Sequence, residues 1–403
     1  MDGVTRPRDI VLLGCTGSIG TQTADVVRGA PDRFRIVALA AAVSRPDELA
    51  RQAVEFDVAA VAVSDPAAVA HTRDALSAAG SQAEVRGGLE AVTDLATYPA
   101  DVVLNAITGS IGLAPTLAAL DAGRTVALAN KESLVAGGAL VKDRARPGQI
   151  VPVDSEHSAL AQCLRSGTPD EVARLVLTAS GGPFRGRGRA GLGDVTVQDA
   201  LAHPTWDMGP VVTINSATLV NKGLEVIEAH ELFDIPYDAI DVVIHPQSLV
   251  HSMVTYADGS TIAQLSPPDM RLAIAVAIGW PRRVPGAGRR LDWSTTHELA
   301  FSPFDDVAFP AVRLARSAGQ SGGVVPAIFN AANEELVAAF IRGRVPFLAI
   351  VDTLERVLDG APDFGNPRDV ADVWEAEEWA RGRARDLIDQ VPVSGSMSGS
   401  TGR

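Results

Sequence analysis

The stretch DIVLLGCTGSIGTQTADVVR, residues 9–28, decides the fold of the first part of the chain. It opens with a short apolar run, Asp9–Leu13, which is typical of a strand buried on both faces. Gly14, Gly17 and Gly20 follow at a spacing of three, and a helix is predicted from about Thr21 to Arg28. A glycine-rich turn lets the backbone approach a pyrophosphate, and the helix N-terminus then offers amide donors and a favourable dipole. The pattern therefore predicts a dinucleotide-binding strand, turn and helix.

Five further apolar runs, alternating with helical stretches, extend this pattern to about residue 153. They are 35–41, 58–63, 101–106, 125–129 and 149–153. Near-continuously apolar strands that alternate with helices imply right-handed crossovers in a parallel sheet. We therefore predict an α/β fold whose first domain, residues 1–153, is a Rossmann-like doubly wound parallel sheet.

The pattern changes after residue 153. Apolar runs follow at 174–179, 211–214 and 240–244, and a hairpin is predicted over 250–265 with its turn at Asp258-Gly259. We expect a central α+β catalytic domain over 154–280, which binds metal and substrate, and then a Pro/Arg/Gly-rich linker over 281–306. Helical periodicity, as in 331–341 and 373–387, predicts a C-terminal helical domain over 307–390, and the Gly/Ser-rich end, 391–403, is expected to be disordered.

Composition narrows the class of protein. The 403 residues carry 35 basic and 49 acidic side chains, a formal net charge of −14, and 46% of them are hydrophobic. This composition excludes wholesale disorder, and the acidic balance argues against a nucleic-acid partner. With two distant cysteines, Cys15 and Cys163, and without a long apolar run, we expect a cytoplasmic protein with no membrane partner.

The residues after the second predicted strand bear on cofactor choice. An NAD enzyme places an acidic residue there for the ribose hydroxyls, whereas this chain has Ala42-Val43-Ser44-Arg45. A hydroxyl and a guanidinium suit a ribose phosphate better than a free hydroxyl, so the segment favours NADPH. The alternative is that Arg45 is a solvated loop residue.

Acidic residues follow the strand that ends near residue 153. If that segment is extended, Asp154 and Glu156 face the same way and could chelate one cation; the alternative is that Asp154 or Ser155 caps a helix. Farther on, NSATLVNKGLE predicts a helix that places Asn221, Lys222 and Glu225 near one face.

Three carboxylates, Asp154, Glu156 and Glu225, would select Mg²⁺ or Mn²⁺ over Zn²⁺. Lys222 is also one of only three lysines among the 35 basic residues, which favours a role that needs a compact ammonium. The alternative for Lys222 and Glu225 is an ordinary surface ion pair.

Between these segments lies a loop rich in glycine. It runs from Ser180-Gly181-Gly182-Pro183 to Gly193, followed by HPTWDMG, residues 203–209. The composition indicates a mobile loop whose Trp206 could cover a ligand and exclude water. The rival interpretation, an Arg-Gly nucleic-acid tract, is disfavoured because the stretch is short and the chain is acidic.

Seven ordered motifs closely resemble the 1-deoxy-D-xylulose 5-phosphate reductoisomerase family. They are GCTGSIG, ALANKESL, PVDSEHSA, SGGPF, HPTWDMG, NSATLVNKGLE and IHPQSLVHSM, between Gly14 and Met253, and a weaker motif, NAANEE, spans 330–335. The resemblance implies an NADPH- and divalent-metal-dependent homodimer that rearranges and reduces a sugar phosphate, 1-deoxy-D-xylulose 5-phosphate, to 2-C-methyl-D-erythritol 4-phosphate in the non-mevalonate isoprenoid pathway.

The resemblance also assigns roles to residues. Metal ligands would be Asp154, Glu156 and Glu225, and the catalytic set would be Lys131, Glu156, His203 and Glu225. Substrate would contact Lys131, Ser155, Glu156, Ser180, His203, Trp206, Ser216, Asn221, Lys222 and Glu225. Cofactor would contact Thr16, Gly17, Ser18, Ile19, Asn130, Glu132 and Gly209, to which the segment after the second strand adds Ser44 and Arg45.

The chain departs from the family after the second strand, where a Gly-Lys/Arg-Asn run is common and Ala42-Val43-Ser44-Arg45 stands instead. Two other functions stay open from the residues alone. An NADP-dependent dehydrogenase of a phosphorylated hydroxy acid would not need three converging carboxylates. A nucleotide-sensing regulatory protein would bind NADPH without oxidising it.

Overall fold

The structure is a computed structural model that describes residues 6–42, 45–206 and 208–391. The chain divides into two compact units. The first comprises the residues up to Thr178 together with Glu228–Asp241 and Gln247–Ala300, and the second comprises Ala179–Ile227, Val242–Pro246 and the residues from Phe301 on. Within the described ranges, every helix is too short or too polar to cross a membrane.

A seven-stranded sheet forms the centre of the first unit. Its strands are β1 (Arg8–Leu13), β2 (Phe34–Ala41), β3 (Ala60–Val63), β4 (Glu84–Gly87), β5 (Val102–Asn105), β6 (Thr125–Leu128) and β7 (Ile150–Pro152). They lie in the order β4-β3-β2-β1-β5-β6-β7, and every pairing is parallel. This order reverses direction at β1, so the prediction of a doubly wound parallel sheet is confirmed.

Strand β4 is the element of this sheet that the apolar pattern missed. Its sequence, EVRG, has one apolar side chain, and its residues at this edge of the sheet are exposed or partly exposed. The other six strands fall within a few residues of the predicted runs, and most of their residues are buried.

Helices cover the sheet. They are α1 (Ser18–Arg28), α2 (Pro46–Glu55), α3 (Val69–Ala79), α4 (Leu89–Leu95), α5 (Leu113–Asp121), α6 (Lys131–Arg144) and α7 (Ser155–Cys163). A later helix, α11 (Met270–Gly279), packs on α1, and its Ile274 and Ile278 join the core formed by Ile10, Leu12 and Ile36. The first unit thus takes one of its helices from residues distant in sequence.

A second sheet has the order β11-β10-β8-β9-β12. Its strands are β8 (Val172–Ala179), β9 (Ile240–Ile244), β10 (Val250–Tyr256), β11 (Thr261–Leu265) and β12 (Ser302–Pro303). Strands β10 and β11 pair antiparallel around Asp258-Gly259, which confirms the predicted hairpin. The apolar run 211–214 lies instead in a helix that Pro210 begins, since proline suits the first helical position.

The second unit is mainly helical. Its elements include α8 (Val197–Leu201), α9 (Pro210–Ala217), the first part of α10 (Val220–Phe233), α12 (Ala311–Ser321), α13 (Val325–Ile341), α14 (Phe347–Asp359) and α15 (Val370–Ile388). Helix α13 packs on α14 and α15 through fully buried side chains such as Phe329 and Leu336, and the two helical runs predicted at 331–341 and 373–387 lie inside α13 and α15. The predicted domain boundaries remain a prediction, and residues 392–403 of the predicted tail lie outside the described residues.

Candidate active site

In the glycine-rich turn after β1, the backbone at Gly14 and Gly20 lies very close to other backbone atoms. Gly14 has a φ of +82°, and a Cβ atom added to it would lie 2.5 Å from the carbonyl oxygen of Ala106. A Cβ on Gly20 would lie 2.3 Å from the carbonyl oxygen of Gly14. Glycine is therefore required for α1 to begin this close to β1. The turn presents the start of α1, Gly17, Ser18 and Ile19, without a side-chain cap, as an anion-binding helix N-terminus requires.

The side chains of Ser44 and Arg45 were predicted to bind the ribose phosphate of the cofactor. The Arg45 guanidinium donates from Nη1 to the carbonyl oxygen of Thr16 at 3.1 Å, so it lies beside the glycine turn. Ser44 lies outside the described residues. Cys15 is fully buried and burial raises the pKa of its thiol, in keeping with a packing role.

Asn130 caps helix α6 and ties it to the loop after β5. Its Oδ1 accepts from the Ser133 amide at 2.9 Å, and its Nδ2 donates to the carbonyl oxygens of Ile107 and Gly109. The cap places Lys131 and Glu132 in the first turn of α6, at the carboxyl end of β6. Ligands of doubly wound sheets bind at this edge.

Asp154 is the N-cap of helix α7, so the segment is not extended and the cap is confirmed, although its carboxylate still lies within 4.8 Å of that of Glu156 and the cap does not exclude a shared cation. Its side chain accepts from the Glu156 amide, because the first amides of a helix lack partners within the helix. Lys131 Nζ lies 2.6 Å from Asp154 Oδ2. Although burial opposes ionisation, the charges of Lys131 and His157 hold the pKa of the Asp154 carboxyl well below its usual range. Ser155 donates from Oγ to Glu156 Oε2 at 2.5 Å, which orients that second carboxylate.

A buried histidine joins Asp154 to helix α10, and the sequence motifs gave it no role. His157 Nδ1 lies 3.0 Å from Asp154 Oδ1 and 3.1 Å from Glu228 Oε2, with His157 and Glu228 fully buried. A signal was available, since His157 follows Asp154 by three residues and Glu228 follows Glu225 by three, each on one helix face. That signal is weak by itself, because spacing within a helix does not say which two helices meet.

In the second unit, Ser180 and His203 form a pair with a defined tautomer. The amides of Thr205 and Trp206 donate to His203 Nδ1 at 3.2 and 2.9 Å, so the proton lies on Nε2, which donates to Ser180 Oγ at 3.0 Å. Burial lowers the pKa of His203, which favours this neutral form. Ser180 Oγ also accepts from the Gly182 amide at 3.2 Å, so its own hydrogen is left to donate to a ligand.

Helix α9 holds the next two predicted residues. Gly209 is its N-cap, with no side-chain cap, and Ser216 lies in its last turn. Ser216 packs on the SGGPF turn, because a Cβ on Gly182 would lie 3.1 Å from the Ser216 carbonyl oxygen. Trp206, half-buried, lies in the loop before α9.

Helix α10 carries Asn221, Lys222 and Glu225 on one face, as the spacing predicted. Asn221 Nδ2 and Lys222 Nζ both donate to the Glu225 carboxylate. Lys222 is 4% exposed and Glu225 is 1% exposed, so the pair is buried and the surface-pair alternative is wrong. Removing a carboxylate and an ammonium from water costs free energy, and buried charged pairs of this kind are typical of functional sites.

Comparisons with known proteins agree along the chain. Residues 10–138 match a family model described as 1-deoxy-D-xylulose 5-phosphate reductoisomerase, and residues 150–233 match that of the C-terminal domain of the same family. Residues 265–383 match a third model, the DXP reductoisomerase C-terminal domain.

Similar sequences and structures carry the same name. The 1-deoxy-D-xylulose 5-phosphate reductoisomerases of Streptomyces coelicolor and Mycobacterium marinum are 60% and 57% identical, over 96% and 98% of this chain and 94% and 96% of theirs. The Zymomonas mobilis enzyme in complex with NADPH superposes with a TM-score of 0.89 at 40% identity, covering 96% of this chain and all of that one. A reductoisomerase in complex with NADPH, fosmidomycin and magnesium superposes with a TM-score of 0.88 at 37% identity, covering 95% and 98%.

Proposed function

The chain belongs to the 1-deoxy-D-xylulose 5-phosphate reductoisomerase family, and from that membership we infer how its residues divide the work of the reaction. It is an NADPH- and divalent-metal-dependent oxidoreductase and isomerase. It rearranges and reduces 1-deoxy-D-xylulose 5-phosphate to 2-C-methyl-D-erythritol 4-phosphate in the non-mevalonate isoprenoid pathway. The residue assignments that follow are the proposal.

The contacts of helix α10 are the observation that supports these residue assignments. Glu228 contacts His157, which contacts Asp154, and Glu225 lies one turn earlier on the same helix face as Glu228. The helix that meets the start of α7 through Glu228 therefore also carries the third predicted carboxylate.

Asp154, Glu156 and Glu225 would hold the cation, Mg²⁺ or Mn²⁺. The donor set fits, because it consists of oxygens alone, Asp154 is held ionised, and Ser155 orients Glu156. A bound hard cation polarises a ketone oxygen as a Lewis acid. His157 fixes the Asp154 carboxylate through its second oxygen, as groups behind metal ligands commonly do.

The substrate's phosphate would bind Ser180, Ser216, Asn221 and Lys222. Ser180 has a hydroxyl hydrogen to donate, and His203 holds the Ser180 oxygen from the other side. Lys222 supplies the ammonium, and Asn221 supplies an amide donor on the same helix face. With the phosphate bound to these residues, the carboxylates of Asp154, Glu156 and Glu225 would orient the reacting carbons. The binding energy of the phosphate can also help the loop that contains Trp206 to close over the substrate.

NADPH would bind at the glycine turn of the first unit. Its phosphates fit the start of α1 at Thr16, Gly17, Ser18 and Ile19, with Arg45 beside the turn for the ribose phosphate. Asn130, Glu132 and Gly209 would complete the contacts. When bound, the cofactor supplies the hydride that reduces the rearranged carbon skeleton.

Lys131 would donate a proton or hydrogen bond to substrate oxygens. Its ammonium lies 2.6 Å from Asp154 Oδ2, so it stands beside one proposed ligand. Catalytic contacts with substrate would then come from Lys131, Glu156, His203 and Glu225.

One assay tests the assignment of reaction and cation together. We expect NADPH absorbance to fall when 1-deoxy-D-xylulose 5-phosphate is added, the loss to stop with a chelator, and the rate to return with Mg²⁺ or Mn²⁺. A phosphorylated 2-keto acid, which a simple dehydrogenase would reduce with NADPH, is the control substrate. Oxidation of NADPH that persists after chelation would favour the simple dehydrogenase instead.

Three finer points are also proposals. The resemblance supports a homodimer, which light scattering at micromolar concentration would test against a monomer of 42.0 kDa. Both cysteines, Cys15 and Cys163, are free and buried, which supports a reducing, cytoplasmic location. Metal analysis of protein purified from its native cell would distinguish manganese from magnesium.

A further inference from the structure

The NAANEE motif of helix α13 has two buried asparagines, and the function described so far uses neither. Asn330 donates from Nδ2 to Glu334 Oε1 at 3.0 Å, within its own helix. Asn333 instead donates from Nδ2 to Asn215 Oδ1 at 2.9 Å, across 118 residues of sequence. Asn333 is therefore the asparagine of this motif that links α13 to α9.

The link is placed deep in the second unit. Asn333 is 0% exposed and Asn215 is 7% exposed, and the neighbouring α13 residues Phe329, Leu336 and Val337 are fully buried. An amide among such side chains is expensive unless hydrogen-bonded, and Asn333 Oδ1 has no hydrogen-bond partner among the described residues. An aliphatic residue would fill this position at lower cost, so the bond to Asn215 is what the amide adds here.

Asn215 precedes Ser216, one of the residues proposed to bind phosphate. The last turn of α9 also packs on Gly182, where an added Cβ would lie 3.1 Å from the Ser216 carbonyl oxygen and 3.2 Å from Ala217 Cα. The turn thus contacts both the SGGPF loop, which carries Ser180, and helix α13.

The end of α9 also sets the start of α10. Thr218 Oγ1 donates to the carbonyl oxygen of Ile214 and accepts from the Val220 amide, and Leu219 turns the chain with a φ of +60°. Asn221 and Lys222 follow directly. A rotation of the last turn of α9 would therefore move Ser216 and the start of α10 together.

We propose that Asn333 is a positioning residue for the substrate's phosphate site, acting through Asn215 on Ser216. This inference rests on the proposed phosphate site. It assigns the C-terminal helical bundle a part in substrate affinity, although Asn333 itself contacts no substrate.

The test compares Asn333→Ala with Asn330→Ala, a matched loss of a buried asparagine one turn away on the same helix. We expect Asn333→Ala to raise KM for 1-deoxy-D-xylulose 5-phosphate about tenfold, about 1.4 kcal/mol of binding, with KM for NADPH within twofold of wild type. Asn330→Ala should leave both KM values within twofold. The inhibition constant of inorganic phosphate against the substrate should rise in parallel.

A second pair of variants serves if Asn333→Ala folds poorly. Asn215→Ala should give the same rise in substrate KM, and the Asn215→Ala/Asn333→Ala double variant should show no more than either single variant, since all three lack one bond. Equal shifts for Asn330→Ala and Asn333→Ala, equal shifts in both KM values, or additive single variants would overturn the proposal. If the wild-type protein does not turn over the substrate at all, the proposed function fails first.

Discussion

Replacing Gly20 by alanine tests the geometry of the dinucleotide turn most directly. A Cβ at this position would lie 2.3 Å from the Gly14 carbonyl oxygen and 2.5 Å from Cys15 Cα, all backbone atoms that cannot rotate away. Ordinary van der Waals contact begins near 3.5 Å, so the start of α1 must move by about 1 Å. Such overpacking costs about 1–3 kcal/mol of folding free energy.

The same displacement moves the helix N-terminus that is proposed to hold the pyrophosphate. Loss of one or two charge-assisted hydrogen bonds, each about 1.5–3 kcal/mol, predicts a rise in the Kd for NADPH of at least about tenfold. Nucleotide fluorescence titration measures this Kd, and urea unfolding measures the free energy of unfolding. The KM for 1-deoxy-D-xylulose 5-phosphate at saturating NADPH should stay within about twofold, since its proposed phosphate residues lie on other elements.

Gly29→Ala is the matched control at the other end of α1. Its added Cβ would lie 3.5 Å from the Asp25 carbonyl oxygen, and Gly29 has an ordinary φ of −76°. This variant should leave NADPH affinity unchanged. If Gly20→Ala lowers stability but binds NADPH as tightly as wild type, the assignment of the turn to the pyrophosphate is refuted.

Three further predictions concern the second part of the site. Glu225→Gln should lower kcat by about 100-fold or more, because stabilisation of the transition state by a cation is worth several kcal/mol, and it should leave the Kd for NADPH unchanged. The control is Glu231→Gln on the same helix. If the metal dependence of turnover is unaltered in Glu225→Gln, Glu225 is not a ligand. Trp206→Ala should raise KM for 1-deoxy-D-xylulose 5-phosphate more than KM for NADPH, and equal losses would contradict a lid. Because burial lowers the pKa of His203, its imidazole should titrate by NMR below the ordinary value of about 6.5. The unfolded chain then binds the extra proton first, so the contribution of His203 to stability falls as pH drops below about 6.5, and a midpoint at or above that value would contradict the assigned neutral tautomer.

The local pattern predicted what depends on neighbours in sequence. Buried parallel strands must be apolar on both faces, and this requirement made six of the seven strands readable. The i, i+3 and i, i+4 spacing likewise placed Asn221, Lys222 and Glu225 on one helix face, because that placement follows from helix geometry alone. The edge strand β4 was missed, because an exposed edge carries no such requirement.

Side-chain partners distant in sequence could not be predicted in the same way. The contacts of His157 with Glu228 and of Asn333 with Asn215 join residues 71 and 118 positions apart, and spacing within one helix does not say which two helices meet. The conformation at Asp154 is another example: the letters DSEH allow an extended pair of ligands or a capped helix. Packing decides between them through Lys131 and His157.

The sequence by itself determined the glycine-rich turn, the alternation of strands and helices, and the placement of Asn221, Lys222 and Glu225 on one helix face, because these follow from chain geometry over a few residues. The other phosphate-binding candidates, Ser180 and Ser216, came from the resemblance to the family. Tertiary structure alone decided which carboxylate is held ionised, which imidazole nitrogen carries the proton, and which buried amide bonds to Asn215 of helix α9. Each of those depends on charge and burial contributed by elements that the chain brings together only when it folds.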